Sequence, residues 1–270
     1  MVCNRRETEE VPGDILMSRF FVEPGNIGSG KIVINDRDDL HHMVKVLRLR
    51  EGDEVDISDT VEWEYRARIT SLGKEEAQLE ILDKQTFAAE PSVEVTLFQG
   101  IPKAGKMETI IQKCVELGAH DIVPVFMDRT VVVDRGNFGR KTERWSRVAA
   151  EAVKQCKRGI IPEVTEPVKM KDVYAAFADY DLVLFPYENE RGRSIKEALL
   201  TASDPLYEEI TGKKLERIAV LIGPEGGFSD EEAAAITEAG GESVSLGGTI
   251  LRTETAGMAA LAMIMYELEL

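Results

Sequence analysis

The sequence predicts an α/β protein in which a small antiparallel barrel precedes a larger domain built on a mainly parallel sheet. Two observations lead to this fold class. Residues 17–83 hold short apolar runs separated by glycines, which is typical of the strands of a small antiparallel barrel. From Ser92 onward, runs of strand length alternate with segments of helical periodicity, which indicates a parallel sheet covered by helices. A length of 270 residues leaves room for both domains.

The first region is predicted to contain five strands and one helix. The strands are residues 19–22, 31–34, 54–57, 65–69 and 77–82, punctuated by Gly25, Gly30, Gly52 and Gly73. Residues 40–49 show a helical pattern, and the polar residues 1–16 predict a flexible extension. Four aromatic residues could stack on RNA bases, although side chains at strand spacing more commonly form a core: Phe20, Phe21, Trp63 and Tyr65.

The second region follows a linker predicted at residues 85–91. Its strands are predicted at residues 93–98, 122–126, 181–185, 218–222 and 242–246. Two helices are predicted at residues 106–117, ending at Gly118, and at residues 142–157, which is amphipathic. Ser229 and Glu232 form a capping box that opens a third helix, and Gly240-Gly241 ends it.

Composition excludes several classes of protein. The cysteines (Cys3, Cys114 and Cys156) are odd in number and widely spaced, which argues against a disulfide framework and a zinc site. No apolar run is long enough to span a membrane, and the N-terminus lacks the apolar segment of a secretory signal. We therefore expect a cytoplasmic protein that uses no metal.

The distribution of charge matters more than the net charge of −16, which alone disfavours an RNA partner. Residues 99–160 hold twelve Lys and Arg against seven Asp and Glu, whereas residues 161–270 hold nine against twenty-one. A basic stretch of this kind is, on its own, better explained as a solvated helix face. The charge pattern therefore permits a nucleic-acid partner without requiring one.

Two glycine-rich loops follow predicted strands of the second region. The first is Gly-Pro-Glu-Gly-Gly at residues 223–227, and the second begins with Leu-Gly-Gly-Thr-Ile-Leu-Arg at residues 246–252. Ligands of parallel sheets bind at the carboxyl ends of strands, and glycine allows a close approach of the backbone. A tight turn is the alternative for either loop alone. Neither loop has the spacing of a dinucleotide-binding fingerprint or of a P-loop.

The remaining residues offer little for nucleophilic catalysis. His41, His42 and His120 are the only histidines, and the first two are adjacent on a predicted helix. No Gly-x-Ser-x-Gly segment is present. A transferase that depends on phosphate or nucleotide lacks its motif here as well. The glycine loops thus remain the strongest candidate for a site.

Both loops resemble those of the SPOUT superfamily, and more closely those of the ribosomal RNA small subunit methyltransferase E family. The resemblance rests on Gly-Pro-Glu-Gly-Gly-Phe-Ser-Asp-Glu-Glu at 223–232 and Leu-Gly-Gly-Thr-Ile-Leu-Arg-Thr-Glu-Thr-Ala at 246–256. Residues 100–108 and 113–118 resemble the first motif of the family's catalytic domain, and residues 17–21 and 42–48 resemble its N-terminal PUA-like barrel. Thr249 departs from the family, which usually carries arginine there. The resemblance starts near Met17, which implies that Met17 is the initiator.

The resemblance implies a 16S rRNA uridine N3-methyltransferase with S-adenosylmethionine as methyl donor. It implies a flexible extension at 1–16, a PUA-like RNA-binding barrel at 17–88 and a SPOUT domain at 89–270 with a C-terminal trefoil knot. It also implies a homodimer that acts on 16S rRNA or the small ribosomal subunit. Another SPOUT-type RNA methyltransferase and an RNA-binding protein without catalysis are the alternatives.

Three sets of residues carry the expected activity. Arg252 is expected to stabilise a uracil oxygen as N3 loses its proton, and Glu225 or Glu254 to accept that proton, with helix capping an equal alternative for Glu254. Glycine at 226 is expected to leave space for the donor. The donor is expected to contact Phe185, Leu221, Ile222, Gly223, Pro224, Glu225, Gly226, Gly227, Leu246, Gly247, Ile250, Leu251, Thr253, Thr255 and Ala256. RNA phosphates are expected to contact Arg19, Arg48, Lys103, Lys106, Arg129, Arg144, Lys154 and Arg158.

Overall fold

The computed structural model describes residues 18–134, 136–212 and 214–269. The extension predicted at residues 1–16 and the initiator predicted at Met17 lie outside the described residues. The chain divides into two compact units, the first ending at Ala88 and the second beginning at Ala89. Every helix within the described ranges is too short or too polar to cross a bilayer.

Six strands form the sheet of the first unit around an apolar core. They are β1 (Arg19–Phe21), β2 (Ile27–Gly28), β3 (Lys31–Ile34), β4 (Glu54–Ser58), β5 (Trp63–Leu72) and β6 (Ala77–Thr86), hydrogen-bonded in the order β1-β4-β5-β6-β3-β2. The prediction of antiparallel pairing is wrong for β1, which runs parallel to β4. No hairpin constrains these two strands, because β2, β3 and a helix lie between them in the chain.

The aromatic residues of this unit are mostly core residues. Phe20 and Tyr65 are buried, and the partly buried Trp63 packs against the same core. The ammonium of Lys84 lies 3.7 Å from the centre of the Trp63 ring. These contacts support packing rather than base stacking as the role of the buried aromatic rings.

The helix of the first unit starts and ends earlier than predicted. It consists of α1 (Arg37–His41) and a following π-helical segment, His42–Val46. Asp36 starts it, because its carboxylate accepts hydrogen bonds from the backbone N–H groups of Asp38 and Asp39. Arg48, with a φ of +55°, leaves the helical conformation.

The predicted linker begins inside β6. Gln85 and Thr86 pair with Glu64 and Trp63 of β5, so β6 continues to Thr86. This end of the hairpin carries few apolar residues, and cross-strand pairing rather than burial extends it. The periodicity of hydrophobic residues therefore could not reveal that β6 continues to Thr86.

The second unit is an α/β domain, as predicted. Its strands are β7 (Glu94–Gly100), β8 (Asp121–Phe126), β9 (Glu163–Val164), β10 (Val168–Lys169), β11 (Leu182–Pro186), β12 (Arg217–Ile222) and β13 (Glu242–Val244). Its helices are α2 (Lys106–Glu116), α3 (Phe138–Cys156), α4 (Met170–Ala176), α5 (Ile195–Ala202), α6 (Pro205–Thr211), α7 (Asp230–Glu238) and α8 (Thr253–Glu269). The five predicted strands correspond to β7, β8, β11, β12 and β13, with ends shifted by one or two residues.

The sheet of this unit places the two glycine loops at one edge. Its strands are hydrogen-bonded in the order β10-β8-β7-β12-β11-β13, with β9 beside β8, and all of these pairs are parallel. The carboxyl ends of β7, β11, β12 and β13 therefore point the same way. The loops that leave β12 and β13 lie on either side of the end of β11.

The starts of two helices, α7 and α3, can be compared with the starts predicted from local sequence signals. The capping box at Ser229 and Glu232 is confirmed, because each side chain accepts a hydrogen bond from the other's backbone N–H. Helix α3 starts four residues earlier than predicted. Phe138 lies in its first turn, and its ring packs edge-on against Phe126 and is tilted against Trp145. Burial of the Phe138 ring therefore stabilises a first helical turn that the polar sequence around it does not predict.

Candidate functional site

The first glycine loop makes a tight turn between β12 and α7. The N–H of Gly227 donates to the carbonyl oxygen of Pro224 over 2.9 Å, and Gly227 has a φ of +66°, which favours glycine. The N-terminus of α7 follows directly. The carboxylate of Asp128, which follows β8, accepts a hydrogen bond from the Ser229 hydroxyl, so the end of this loop is held by the segment that leaves β8.

The second glycine loop runs from β13 to α8. The Ser245 N–H donates to the carbonyl oxygen of Arg193 over 2.8 Å, which holds the start of the loop beside the segment that follows β11. Gly247 has a φ of +115°, and a Cβ added at Gly247 or Gly248 would meet no atom within 4 Å. The backbone of this loop is therefore open to a ligand.

A buried hydroxyl joins the two loops. Thr253 Oγ1, on the first residue of α8, donates to the carbonyl oxygen of Gly223 over 2.7 Å. The Thr253 hydroxyl oxygen in turn accepts a hydrogen bond from Gln99 Nε2 over 2.9 Å. At the end of β7, a Cβ on Gly100 would lie 2.6 Å from the backbone nitrogen of Pro224. Glycine at 100 and threonine at 253 thus bring β7 and both loops together.

Two adjoining open pockets lie between the loops and share five lining residues, so they form the two lobes of one cavity. The smaller lobe, about 90 Å³, is lined by Pro186, Tyr187, Glu188, Glu190, Arg191, Ser245, Leu246, Gly247, Thr249, Ile250, Leu251 and Ala256. The larger lobe, about 380 Å³, is lined by Lys106, Pro186, Glu188, Ile222, Gly223, Pro224, Glu225, Gly227, Phe228, Ile250, Leu251, Arg252, Thr253 and Ala256. Residues from both loops and from the end of β11 thus surround one concave site.

Four predicted donor contacts need correction. Phe185 and Leu221 are buried in the core beneath the loops, because alternate side chains of a covered parallel sheet point into its packed layers. Thr255 is exposed and lines neither lobe. Gly226 lines neither lobe, and a Cβ there would meet Arg129 Cβ at 3.0 Å rather than fill the cavity. The other predicted donor contacts line the cavity.

The two predicted proton acceptors share one cation. The ammonium of Lys106, at the start of α2, donates a 3.1 Å hydrogen bond to Glu225 Oε1 and lies 3.1 Å from Glu254 Oε2 as an ion pair. The Lys103 N–H also donates to Glu225. Lys106 was expected at the RNA surface, but it connects α2 to both loops at the rim of the larger lobe.

These contacts shift the titration of all three groups. Partial burial raises the pKa of Glu225, but hydrogen bonds from its own N–H, the Lys103 N–H and the Lys106 ammonium lower the pKa below its usual range. The backbone N–H of Glu254 lowers the pKa of that carboxyl, with Lys106 adding to the effect against partial burial. Glu254 and Glu225 raise the pKa of Lys106. The cluster is therefore fully charged at neutral pH.

Arg252 lies at the rim of the same lobe and is exposed. Its carbonyl oxygen accepts hydrogen bonds from the N–H groups of Thr255 and Ala256, which fixes the backbone at the start of α8. Within the described ranges, no carboxylate lies within ion-pair distance of its guanidinium. The guanidinium is thus available to a ligand in the cavity.

The predicted phosphate contacts divide into exposed and buried residues. Lys103, Arg129, Arg144 and Arg48 are exposed, and Lys154 is half-buried. Arg129 also donates to the carbonyl oxygen of Gly226 over 2.7 Å. Arg144 pairs with Glu108 over 2.9 Å, but its side chain is 68% exposed, so it and the other exposed residues of this set can reach a polyanion.

The phosphate role is wrong for Arg158 and disfavoured for Arg19. The guanidinium of Arg158 is 4% exposed and donates to the Glu90 carboxylate and to the carbonyl oxygens of Val115 and Ala119. The Arg19 side chain is 8% exposed and lies 2.7 Å from Glu64. A buried guanidinium satisfied by protein acceptors cannot also bind phosphate.

Sequence reasoning missed Glu188 and Gln99, which have central positions in the site. Glu188 follows the end of β11 and lines both lobes. Gln99 is buried at the end of β7 and hydrogen-bonds Thr253. A polar residue at the carboxyl end of a strand that is mostly buried was the available signal for Gln99.

Comparisons with known proteins agree with this arrangement. A family model described as "RNA methyltransferase domain" matches residues 89–265, and one described as "RNA methyltransferase PUA domain" matches residues 34–82. The ribosomal RNA small subunit methyltransferase E of Bacillus subtilis is 31% identical over 94% of this chain and 98% of its own length.

Two solved structures share the fold along nearly the whole chain. One is a ribosomal RNA small subunit methyltransferase E from Neisseria gonorrhoeae bound to S-adenosyl methionine (TM-score 0.75, 27% identity, 93% of this chain and 97% of that one). The other is a methyltransferase from Legionella pneumophila with bound SAM (TM-score 0.75, 28% identity, 93% and 97%). The chain therefore belongs to the RNA methyltransferase family and, within it, to the ribosomal RNA small subunit methyltransferase E family.

Proposed function

We propose that this chain transfers the methyl group of S-adenosylmethionine to N3 of a specific uridine in 16S ribosomal RNA. The observation that carries the proposal is the two-lobed cavity formed by the glycine loops at the carboxyl ends of β12 and β13. Ligands of parallel sheets bind at this edge. The name of the Bacillus subtilis relative and the donor bound in the Neisseria structure support the same function.

The residues that line the cavity fit this donor. The larger lobe alone has the volume of a small-molecule site, and the smaller lobe extends it past the end of β11. Glycines leave the loop backbone open, so that its N–H and C=O groups can bind a flat base and an amino-acid group. The contacts that we propose are Ile222, Gly223, Pro224, Glu225, Gly227, Leu246, Gly247, Ile250, Leu251, Thr253 and Ala256.

The protein must orient the uracil and stabilise its negative charge. Bound S-adenosylmethionine supplies a methyl carbon on a sulfonium, which is an electrophile without further activation. Uracil N3 is a weakly acidic imide, so negative charge spreads to the neighbouring oxygens when the proton leaves. Arg252 is exposed at the rim of the larger lobe, and we assign it to one of these oxygens.

Glu225 and Glu254 fit a positioning role better than a basic one. Their pKa values are lowered, which makes each carboxylate a weaker proton acceptor at neutral pH. Both carboxylates contact Lys106, so they hold the start of α2 against the two loops. This geometry favours the structural alternative for Glu254. We infer that the N3 proton passes to solvent rather than to a residue of this cluster.

The RNA contacts remain a proposal for the exposed cations and the half-buried Lys154. Lys103, Arg129, Arg144 and Lys154 belong to the second unit, and Arg48 belongs to the first. Phosphate contacts of this kind position the RNA without reading its sequence. Because N3 of uracil is an edge used in base pairing, the target must be unpaired or extruded before it can react.

We also propose a homodimer and transfer without a metal. Met263 and Tyr266 of α8, three residues apart, share an exposed face, and Leu200 of α5 and Ile250 are exposed as well. A second copy that covers these apolar side chains would explain their exposure. A sulfonium methyl needs no Lewis acid. The trefoil knot and the small ribosomal subunit as partner stay predictions.

A reconstituted reaction tests the function. The purified protein is incubated with S-adenosylmethionine labelled in the methyl group and with small-subunit particles or 16S rRNA, and the rRNA is digested to nucleosides for mass spectrometry. We expect label in 3-methyluridine, with and without EDTA. Label in another base or on a ribose would indicate a different RNA methyltransferase. Donor binding without any transfer to these substrates would contradict the substrate assignment.

A further inference from the structure

We propose that the carboxylate of Glu188 binds the ribose hydroxyl groups of the methyl donor. This inference rests on the proposed function. Glu188 lies two residues beyond the end of β11, between the two glycine loops, and it lines both lobes of the cavity. It therefore lies at the junction of the lobes.

The junction is otherwise apolar. The residues common to both lobes are Pro186, Glu188, Ile250, Leu251 and Ala256. Among these five described residues, Glu188 alone has a polar side chain. A polar group of a ligand that passes from one lobe to the other would find its side-chain partner here.

The backbone that carries Glu188 is held on both sides. The Tyr187 N–H donates to the carbonyl oxygen of Val244 over 3.0 Å, and the Glu190 N–H donates to that of Tyr187 over 3.0 Å. The Glu190 carboxylate accepts hydrogen bonds from Ser243 Oγ and the Gly192 N–H. This segment is thus positioned by the fold before any ligand binds.

The carboxylate itself points toward the first glycine loop and has no protein donor. A Cβ added to Gly227 would lie 2.8 Å from Glu188 Oε2, so the carboxylate occupies the space that glycine leaves. Across residues 18–134, 136–212 and 214–269, no side chain or N–H group donates a hydrogen bond to it or pairs with it. Glu188 is exposed, and a carboxylate without a protein partner at a cavity is a ready acceptor for a ligand hydroxyl.

The shape of the donor places its ribose at such a junction. S-adenosylmethionine carries adenine at one end and an amino acid at the other, and the ribose and sulfonium join them. If each end occupies one lobe, the ribose lies between them, whichever end takes which lobe. Two adjacent hydroxyl groups can both donate to one carboxylate, and acidic residues bind ribose in other nucleotide sites in this way.

Two probes separate the ribose from the rest of the donor. S-adenosylmethionine has the ribose, the ammonium and the sulfonium, whereas 5′-methylthioadenosine keeps the ribose and lacks both positive charges. Titration calorimetry with each probe is run on the wild type, Glu188→Gln and Glu188→Ala, beside a thermal melt of each protein without ligand. Glu231→Gln is the control, because Glu231 is an exposed carboxylate that lines neither lobe.

We expect Glu188→Ala to weaken both probes by about 10- to 100-fold, the usual effect of losing hydrogen bonds to a charged group. Glu188→Gln should weaken both by less, and Glu231→Gln should change neither. Weaker binding of S-adenosylmethionine alone would overturn the inference, because the carboxylate would then serve the ammonium or the sulfonium. Unchanged binding of both probes would overturn it as well. A wild type that binds neither probe would instead overturn the proposed function.

Discussion

Removing the hydroxyl of Thr253 should loosen the contact between the two glycine loops. Thr253→Val keeps the shape of the side chain but takes away the acceptor of Gln99 Nε2 and the donor to the Gly223 carbonyl oxygen. Gln99 keeps its bond to the Gly100 carbonyl oxygen, so the main loss falls on Gly223. Leaving one such group unsatisfied in a mostly buried site costs about 1–3 kcal/mol of the free energy of unfolding.

The assay is a thermal melt with a donor titration on the same preparations. For a domain of this size, the expected cost corresponds to a melting temperature lower by roughly 2–12 °C. Donor affinity should fall too, because Gly223 lines the larger lobe. Thr255→Val is the matched control, since Thr255 is exposed two residues further along α8. If Thr253→Val melts and binds donor as Thr255→Val does, the hydroxyl does not join the loops.

Four further predictions follow from the charged residues. Arg252→Ala should lower the single-turnover methylation rate by about 10²-fold with donor affinity little changed; normal turnover at saturating donor would refute the catalytic role. Arg144→Glu should weaken RNA binding and reduce its salt slope by about one unit, as filter binding at several salt concentrations would reveal. Arg158→Ala should instead lower stability by about 3–5 kcal/mol, because the mostly buried Glu90 carboxylate loses its cation and the carbonyl oxygens of Val115 and Ala119 lose a donor; a variant as stable as the wild type would contradict this. Lys106→Met should be less stable than the wild type at neutral pH, because the ionised Glu254 then lacks its ion pair. The pKa of Glu254 is lowered in the folded protein, so the stability that the ionised carboxylate contributes is present at neutral pH and is lost as pH falls through that pKa. The difference between melts of the two proteins should therefore shrink toward acid pH.

Local signals in the sequence predicted the parts of the site that depend on local chemistry. The capping box at Ser229 and the positive φ at Gly227 and Gly247 follow from the residue types at those positions, whatever surrounds them. Five of the seven strands described in the second unit were found because burial on both faces leaves continuous apolar runs, whereas β9 and β10, of two residues each, were missed. Most residues of the two glycine loops that line the cavity were predicted from the glycine motifs and from the family resemblance.

The positions of three residues depend on contacts with distant parts of the chain, which the sequence could not predict. Glu188 stands in a polar segment without periodicity, and it enters the site only because β11 lies between β12 and β13 in the sheet. Arg158 belongs to a basic stretch, and nothing local distinguishes it from Arg144. Its burial depends on Glu90, 68 residues earlier in the chain. Lys106 was likewise assigned to RNA by charge alone, although two distant carboxylates hold it.

The ion pairs at the cavity indicate that different cations serve RNA binding and methyl transfer. Arg252 is the only basic residue among the last fifty, and Lys106 is neutralised by Glu225 and Glu254. Among the described residues that line the larger lobe, Arg252 is therefore the cation that remains for the substrate, and one cation cannot hold an RNA against a net charge of −16. Affinity must come from exposed cations elsewhere, such as Arg144, which lies outside the cavity lining. Loss of Arg252 should then change the rate and leave the salt dependence of RNA binding nearly intact, whereas a phosphate contact would change the salt dependence first.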